Sequence, residues 1–401
     1  MEIIVAGGGL VGLVAGAVLR AQQHDVTVLE RAPEIRAAGA GIGLWPNALA
    51  VLDTLHIGAA VREMGSTIET WFFDSRGTRV RAPGFTDADH TFSLIPRAPL
   101  NTLLAEAVGA DCIRLGAGVS AHTEHTDRVE VHLDTGETLT ADLLIGADGV
   151  HSAVRAGMLP GTSALDHVGH HAWRAVVPAG GEPPEGTVLT IGENRTRGGY
   201  ARIGDGHTMW MINQFDSAPL SGTKREQALA RVGDLTASGW QDELVGMIER
   251  TPEDVIIHNQ IKYVPPLPRW NSDRVVLIGD AAHGLSPHIA AGGTLGIEDV
   301  GVLRTSLAGQ PDLATALDSF ASQRIPRFQE VERHARNVEQ AADTAQFAQR
   351  YAGFSHWMRT TAPGAGNHPA VRHNGTDDGT VSRDQTRRTQ RAGARGRAGR
   401  G

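Results

Sequence analysis

Cysteine is almost absent from this chain, because Cys112 is the single cysteine in 401 residues. One thiol cannot form an internal disulfide, so a disulfide-stabilised secreted scaffold is excluded and a cytoplasmic protein is predicted. The spacings of Cys and His that hold structural zinc are also missing, and we expect no metal site. No stretch approaches the roughly 20 apolar residues of a membrane span, so none is predicted.

The overall charge and the apolar content exclude two further classes. A net charge of −8 argues against nucleic acid as the main partner, and 41% hydrophobic residues predict a packed core. At about 150 residues per domain, the length predicts two or three domains or one interleaved body. Residues 363–401 differ, since 8 Arg against 3 Asp and few large apolar side chains predict a disordered basic tail. A tail that binds RNA or an acidic partner is the less favoured alternative.

Glycine is what the chain has in excess, with 49 residues. These glycines lack the three-residue period of collagen. Many of these glycines instead fall in clusters, at 7–12, 39–43, 146–149, 279–284 and 292–296. Glycine lets the backbone take positive φ or approach a ligand closely, so separate clusters predict the cradle of one extended ligand.

The first cluster reads Gly7-x-Gly9-x-x-Gly12, between a β-branched run and a helical run. In this motif the first Gly makes the tight turn, the second admits a pyrophosphate and the third lets helix and strand pack. Glu30 lies 18 residues beyond Gly12, at the end of a second predicted strand. Its carboxylate suits a ribose diol and disfavours a 2′-phosphate. The motif therefore predicts FAD or NAD and leaves the choice between them open.

Two further motifs follow apolar strands, Asp148-Gly149 after 143–145 and Gly279-Asp280 after 275–278. An Asp at a strand end, followed by small residues that open a helix, suits a ribityl hydroxyl near a pyrophosphate. A second G-x-G-x-x-G for a nicotinamide is missing, so NAD(P)H is expected to dock transiently. The G-x-S-x-G motif of serine hydrolases is missing as well.

The three motifs, in this order and spacing, resemble those of the single-component FAD-dependent aromatic hydroxylases, which include p-hydroxybenzoate, salicylate and urate hydroxylases. The resemblance covers about residues 1–350. It implies that the following residues bind FAD: Gly7, Gly9, Leu10, Val11, Gly12, Glu30, Arg31, Gly43, Arg97, Val119, Asp148, Gly149, Asp280, Pro287, Ala291, Gly292, Gly293 and Thr294. The chain departs from the family at Ala290, Ala291 and Thr294, where Gly, Gln and Asn are usual.

The resemblance also implies a reaction. NADH or NADPH reduces FAD, O₂ adds to give a flavin C4a-hydroperoxide, and one oxygen atom hydroxylates or epoxidises a small aromatic or polycyclic molecule. A flavin oxidase or dehydrogenase of the same fold is the first alternative, and a non-enzymatic flavin-binding sensor is the second. The substrate, the choice of nicotinamide and a homodimer stay open.

The fold implied is α/β, with a Rossmann-like FAD-binding domain, an inserted mixed β-sheet substrate domain and C-terminal helices. The predicted ranges are 1–70, 98–165 and 266–310 for the FAD-binding domain, 71–97 and 166–265 for the substrate domain, and 311–352 for the helices. Pro326 is predicted to kink or interrupt those helices.

Candidate substrate residues lie in the predicted inserted sheet. Arg174 is a candidate contact for an anionic substrate or an ion-pair residue at the domain interface. Tyr200 and Trp210 either cover the substrate or belong to the core. His288 is the candidate catalytic group, because its loop is expected beside the flavin, and a packing role is equally favoured. His167, His170 and His171 cluster without the carboxylate partner that a metal site needs.

Overall fold

The computed structural model describes residues 1–35, 40–180, 187–192, 195–204, 206–215, 220–235 and 242–362, and its strands form three sheets. They are β1 Glu2–Ala6, β2 Asp25–Glu30, β3 Gly41–Leu44, β4 Ser66–Phe73, β5 Arg79–Val80, β6 Thr91–Pro96, β7 Ile113–Leu115, β8 Val119–Glu124, β9 Val129–Leu133, β10 Thr138–Ala141, β11 Leu143–Gly146, β12 Leu165–Pro178, β13 Thr187–Ile191, β14 Thr196–Arg202, β15 His207–Gln214, β16 Ile257–Tyr263 and β17 Val275–Leu277.

Helices separate the parallel strands and dominate the C-terminal part. They are α1 Leu10–Ala21, α2 Pro46–Asp53, α3 Gly58–Met64, α4 Arg97–Val108, α5 Ala153–Met158, α6 Lys224–Val232, α7 Asp242–Arg250, α8 Asp280–His283, α9 Gly292–Gly309, α10 Leu313–Glu339 and α11 Thr344–Thr360. In the described residues no helix is both long enough and apolar enough to cross a bilayer.

The first strand lies at the centre of a five-stranded parallel sheet of order β17-β11-β1-β2-β7. Such strands are buried on both faces, which explains their continuous apolar sequences. The carboxyl ends of β1, β11 and β17 are neighbours, so the three predicted motifs after these strands meet at one edge. The predicted Rossmann-like α/β fold is confirmed.

A second, mixed sheet has nine strands in the order β16-β12-β15-β14-β13-β4-β6-β3, with β5 paired to β4. Its pairs are antiparallel except β13 with β4. Since β4 runs from Ser66 to Phe73, it crosses residue 70, where the predicted domain boundary lies. A three-stranded antiparallel sheet, β10-β9-β8, completes the strand pairing of the described chain.

The side chains of the nine-stranded sheet form two different clusters. Alternate residues of a strand point to opposite faces. One face packs Trp173, Tyr200 and Trp210 against α6 and α7. The other packs Met209, with Val176 and Met211, against Leu94 and Ile68 of β6 and β4.

The C-terminal helices depart from the prediction in two ways. Helix α10 runs unbroken from Leu313 to Glu339 with Pro326 inside it, so the predicted interruption is wrong. Buried Phe320, Phe328 and Val331 anchor the helix on both sides of the proline, which outweighs the lost backbone hydrogen bond. Helix α11 extends to Thr360, beyond the predicted end at 352. The chain divides into two units, Met1–Ala365 and Gly366–Gly401, and the predicted disordered tail 363–401 lies outside the described residues.

Candidate cofactor and substrate site

The turn after β1 leaves open space in front of the first helix. Gly7 has φ +105°, which favours glycine, and a Cβ atom on Gly12 would overlap the Gly7 carbonyl oxygen. Gly9 precedes α1, and nothing lies within 4 Å of the position of a Cβ there. Leu10 is buried below the turn, and Val11 packs against Gly279 and Gly296. The N-terminal amides of α1 therefore face a space that an anion can enter.

Glu30 is held at the end of β2 beside this turn. Its Oε2 accepts the N–H of Gly8 at 2.8 Å, and its Oε1 accepts the N–H of Ala32 at 2.8 Å. Both oxygens of the carboxylate are thus fixed by backbone amides beside the turn. Arg31 is largely exposed, 3.9 Å from the Asp134 carboxylate, and Val119 is buried at the start of β8.

The Asp148-Gly149 motif forms the second part of the same edge. Asp148 Oδ2 accepts the N–H groups of Ala153 and Val154 at 2.7 and 3.2 Å. Its other oxygen, Oδ1, is buried and finds no hydrogen-bond partner in the described residues. Gly149 has φ +80° with open space at its Cβ position. A Cβ on Gly7 would approach the Asp148 Cα at 2.9 Å, so the two turns are in contact.

Asp280 and Arg97 form the third part. Gly279, at φ +57°, is the N-cap residue of α8, and exposed Asp280 is the first residue of that helix. Arg97 opens α4, and its Nε is buried without a hydrogen-bond partner in the described residues. Burial lowers the pKa of Arg97, and the nearby Asp280 carboxylate opposes this. Arg97 therefore keeps a free donor among the described residues, and its charge lies within electrostatic range of Asp280.

The loop from Pro287 to Thr294 closes the edge. Ala290 takes a left-handed conformation at φ +53°, which costs an alanine energy and marks the position where the family usually has Gly. Gly293 packs against Ile42, and a Cβ on Gly43 would approach the Ala290 Cβ at 3.0 Å. Thr294 Oγ1 accepts the N–H of Trp45 at 3.1 Å. Buried Ala291 precedes Gly292, the first residue of α9.

The donors and spaces along this edge fit FAD. Gly9 and Gly149 leave room for a group against the backbone, while Arg97 Nε and Asp148 Oδ1 are buried polar atoms without a partner. Unpaired buried polar atoms are costly unless a ligand satisfies them. The pieces come from five separate segments, as an extended dinucleotide requires.

His288 is held by hydrogen bonds at both ring nitrogens. Its Nε2 donates to the Ala335 carbonyl at 3.0 Å, so Nδ1, at 2.7 Å from Ser286 Oγ, is the accepting nitrogen. The Ser286 hydroxyl also lies 3.1 Å from His170 Nδ1. Burial lowers the pKa of His288 to about 4, and the Arg197 charge adds to this. The neutral ring therefore joins its loop to α10. If Nδ1 accepted a proton from a substrate, it could no longer accept the hydrogen bond from Ser286.

Of the remaining histidines of the predicted cluster, His167 and His170 are in edge contact, with ring centroids 5.0 Å apart, while each of the three has a different further partner. His167 is 3.2 Å from Glu339, and the bond to that carboxylate raises the pKa of His167. His170 stacks on Phe215, with ring centroids 4.0 Å apart. His171 contacts His258 at 3.3 Å. Within the described residues no group of three His, Cys, Asp or Glu side chains converges on a point where a metal ion could bind.

The three predicted substrate residues lie on two faces of the nine-stranded sheet. Arg174 shares a face with Met211, its pairing partner on β15. Burial lowers the pKa of Arg174, and repulsion by Arg97 adds to this. Met209, on the same face of the sheet, packs against Gly41 of β3, the strand that carries Gly43, so this face borders the cofactor edge. Tyr200 and Trp210 pair with each other on the opposite face, under α6 and α7. Trp210 is fully buried, with its Nε1 bonded to Thr251 Oγ1 at 2.9 Å, which makes it a core residue.

Comparison with known proteins identifies the family. A model of the FAD binding domain matches residues 1–335. The chain belongs to this family. The aurachin C monooxygenase/isomerase of Stigmatella aurantiaca is 32% identical over 333 residues, covering 82% of this chain and 86% of that protein. The 3-amino-4-hydroxybenzoate 2-monooxygenase of Streptomyces cremeus is 31% identical over 352 residues, covering 84% and 86%.

A solved member has the same architecture. The crystal structure of Klebsiella pneumoniae HpxO with FAD and uric acid superposes with a TM-score of 0.76 at 25% identity, over 89% of this chain and 93% of that one. These matches confirm the predicted resemblance, FAD as the cofactor and FAD-dependent monooxygenation as the reaction class. They favour neither the oxidase nor the sensor alternative.

Arg197 is the buried cation that sequence reasoning missed. It lies on β14, is 4% exposed, and donates from NH2 to the carbonyls of Val338 and Glu339 at 3.3 and 2.7 Å. Its guanidinium stacks between Phe215 and Phe347, 4.8 and 4.7 Å from the ring centroids. NH1 is buried and has no hydrogen-bond partner in the described residues. The sequence signal for Arg197 is an arginine on β14, a strand that pairs with a neighbour on each side.

Proposed function

We propose that this enzyme hydroxylates an electron-rich aromatic molecule in the space between the glycine-rich edge and the face of the nine-stranded sheet that carries Arg174. The balanced reaction is substrate–H + O₂ + NAD(P)H + H⁺ → substrate–OH + H₂O + NAD(P)⁺. FAD, when bound, supplies the redox chemistry, and the protein supplies binding, orientation and a dry site. O₂ as the oxidant and the cytoplasm as the location belong to the proposal, as does a homodimer.

The residues along the edge have separate tasks in this proposal. The turn Gly7–Gly12 and the N-terminus of α1 bind the pyrophosphate, and Glu30 binds the adenosine ribose, with Arg31 and Val119 at the adenine end. Arg97 Nε and Asp148 Oδ1, which have no hydrogen-bond partner among the described residues, bind the ribityl chain and pyrophosphate, and exposed Asp280 binds beside them.

The loop Pro287–Thr294 presents its backbone to the flavin ring, and His288 holds this loop against α10. The predicted domain ranges are kept as part of the proposal: 1–70, 98–165 and 266–310 for FAD, and 71–97 with 166–265 for the substrate.

The proposal of an aromatic substrate with an oxyanion rests on NH1 of Arg197, which has no hydrogen-bond partner in the described residues. Burial lowers the pKa of Arg197 to about 10, with Glu339 opposing, so the side chain is still a cation at neutral pH. A buried cation with a free donor suits an oxyanion such as a phenolate, and Phe215 and Phe347 beside it suit a planar ring. Ionisation of a phenol also makes its ring electron-rich, as oxygen insertion requires.

The test is a screen of hydroxylated aromatic and heteroaromatic compounds for stimulated NADH or NADPH oxidation, with H₂O₂ measured beside the oxygenated product. A stimulated, product-coupled reaction supports the proposal, whereas oxidation that yields only H₂O₂ with every compound contradicts it. In Arg197→Gln, KM for the substrate is expected to rise about 10- to 100-fold, the value of a hydrogen bond to a charged group. FAD affinity is expected to stay unchanged.

Arg195→Gln is the matched control. Arg195 lies two residues away and carries the same charge, but its side chain is 41% exposed and pairs with Glu339. A rise in KM of the same size in both variants would show that net charge, and not the buried NH1, determines substrate affinity.

A further inference from the structure

We propose that Asp299 is a positioning residue for FAD, which acts through the backbone of Gly279 to hold Asp280 at the cofactor. This inference rests on the proposed contact between Asp280 and FAD. Asp299 itself lies on α9, is fully buried and has no access to a ligand.

Three donors converge on the Asp299 carboxylate. Its Oδ2 accepts the backbone N–H of Gly279 at 2.9 Å and the Nε2–H of His283 at 2.6 Å. Its Oδ1 accepts the Nε–H of Arg324 at 2.6 Å. The side chains of His283, Asp299 and Arg324 are at most 1% exposed. The carboxylate therefore joins both ends of the short helix α8 to α9 and α10.

The charge of this group is balanced inside the protein. Burial alone would raise the pKa of Asp299, but His283 and Arg324 hold it below its ordinary value. Arg324 also donates to Glu298 at 2.8 Å, and Arg327 forms a two-bond pair with Glu298. Two carboxylates thus face two guanidinium groups, which is the condition under which buried charges are tolerated.

The bond to Gly279 fixes an unusual backbone geometry. Gly279 has φ +57° and ψ −143°, a conformation that essentially only glycine adopts. It is also packed closely, because a Cβ on Gly296 of α9 would lie 3.2 Å from the Gly279 Cα. The next residue is Asp280, whose direction follows from the Gly279 dihedral angles. The amide of Gly279 is thus the point at which Asp299 determines where the Asp280 carboxylate points.

An amide at position 299 cannot replace the carboxylate. Asn has one accepting oxygen and an NH₂ group, which only donates, whereas the site presents three donors. In Asp299→Asn at least one buried donor must face another donor, and the Gly279 turn loses its fixed partner.

The experiment measures FAD binding to full-length apoprotein by flavin fluorescence, with urea unfolding of each variant beside it. For Asp299→Asn we expect the dissociation constant to rise about tenfold, the lower end of the effect of outer-shell partners on a bound group. Asp280→Ala is expected to weaken binding as well. If Asp299 acts through Asp280, then the double variant Asp280→Ala/Asp299→Asn binds FAD as Asp280→Ala alone does, within about twofold.

A matched control separates positioning from stability. Arg327→Gln disrupts the same buried network at Glu298 but contacts neither Asp299 nor Gly279 among the hydrogen bonds of the described residues. We expect a lower urea midpoint with FAD affinity within about twofold of wild type. A loss of FAD affinity in Arg327→Gln equal to that in Asp299→Asn would overturn the inference, since general loosening would explain both.

Two outcomes distinguish this inference from the proposed function. Unchanged FAD affinity in Asp280→Ala refutes the placement of Asp280. Unchanged affinity in Asp299→Asn, or losses that multiply in the double variant, refute the role of Asp299 alone. If Asp299→Asn does not fold, Asp299→Glu decides, because it keeps the charge but moves it by one methylene. The inference then requires weaker FAD binding in Asp299→Glu, and wild-type affinity refutes it.

Discussion

The Cα atom of Gly12 faces the carbonyl oxygen of Gly7 so closely that a Cβ atom on Gly12 would overlap it. The first turn of α1 therefore lies directly on the end of β1, and the helix N-terminus reaches the cofactor edge. In Gly12→Ala the strand and helix must separate, so we expect a loss of about 1–3 kcal/mol in the free energy of unfolding and weaker FAD binding. Urea unfolding and FAD titration measure the two effects.

Gly309→Ala is the matched control for this change. Gly309 is also helical, but nothing lies within 4 Å of the position of its Cβ. Alanine there is expected to leave FAD binding unchanged and to stabilise the protein by up to about 1 kcal/mol. Equal stability of Gly12→Ala and wild type would contradict the close packing described for the turn.

The face of the nine-stranded sheet on which a residue lies predicts whether its substitution changes KM for the substrate. Arg174 lies on the face toward the cofactor edge, and Trp210 lies on the opposite face against α6 and α7. We expect Arg174→Gln to raise KM for the substrate. Trp210→Phe is expected to lower the free energy of unfolding by about 1–3 kcal/mol without a change in KM. Steady-state kinetics and urea unfolding of both variants test this, and a raised KM in Trp210→Phe alone would reverse the assignment.

The buried histidines predict how stability depends on pH. Burial lowers the pKa of His288 from 6.5 to about 4 and that of His170 to about 3. The unfolded chain therefore binds more protons than the folded one between these values and pH 6.5, so stability falls as pH falls through this window. The stability that His167 contributes through Glu339 is complete below pH 6.5 and is lost as pH rises above that value, because its pKa is raised, so it does not alter the slope below pH 6.5.

The measurement is urea unfolding of the FAD-bound protein at several values between pH 4.5 and 7.5, a window set by these pKa shifts. In His288→Gln the fall in stability is expected to be shallower, by up to about 1.4 kcal/mol per pH unit, which is the limit for one titrating group. An identical slope in wild type and variant would show that His288 does not carry the dependence.

Pro326 predicts a stabilising substitution. The proline lies inside α10, where it cannot donate to the carbonyl of Ser322 one turn earlier. Pro326→Ala restores that bond, and we expect the free energy of unfolding to rise by about 1–3 kcal/mol. Thermal or urea unfolding measures it. A destabilised variant would mean that the packing of α10 on α9 depends on the proline ring itself.

The sequence predicted those parts of the site in which a few neighbouring residues determine the geometry. The turn Gly7–Gly12 and the strand end at Glu30 depend on local backbone preferences, and the structure has them where expected.

The features that the sequence did not predict depend on distant partners. Alternation along β15 shows that Trp210 and Met211 face opposite ways, but only the positions of α6 and α7 show which face is core. Glu298 and Asp299 look like solvent-facing charges until Arg324, 25 residues beyond Asp299, is seen to cover them. The helix through Pro326 likewise depends on tertiary packing that outweighs a local preference.

Helix α10 contacts both halves of the site with hydrogen bonds. Arg324 bonds to α9 behind the cofactor edge, and the carbonyls of Ala335 and Glu339 accept from His288 and Arg197. One helix thus sets the distance between the loop Pro287–Thr294 and Arg197, the proposed contacts of flavin and substrate. Hinged separation of the two sheets would break an ionic bond at the Arg324 end of this helix or hydrogen bonds to its carbonyls at the other end. We therefore expect substrate entry and product release to depend on small, local loop movements, and turnover to respond more to loop substitutions than to changes in the stability of the whole fold.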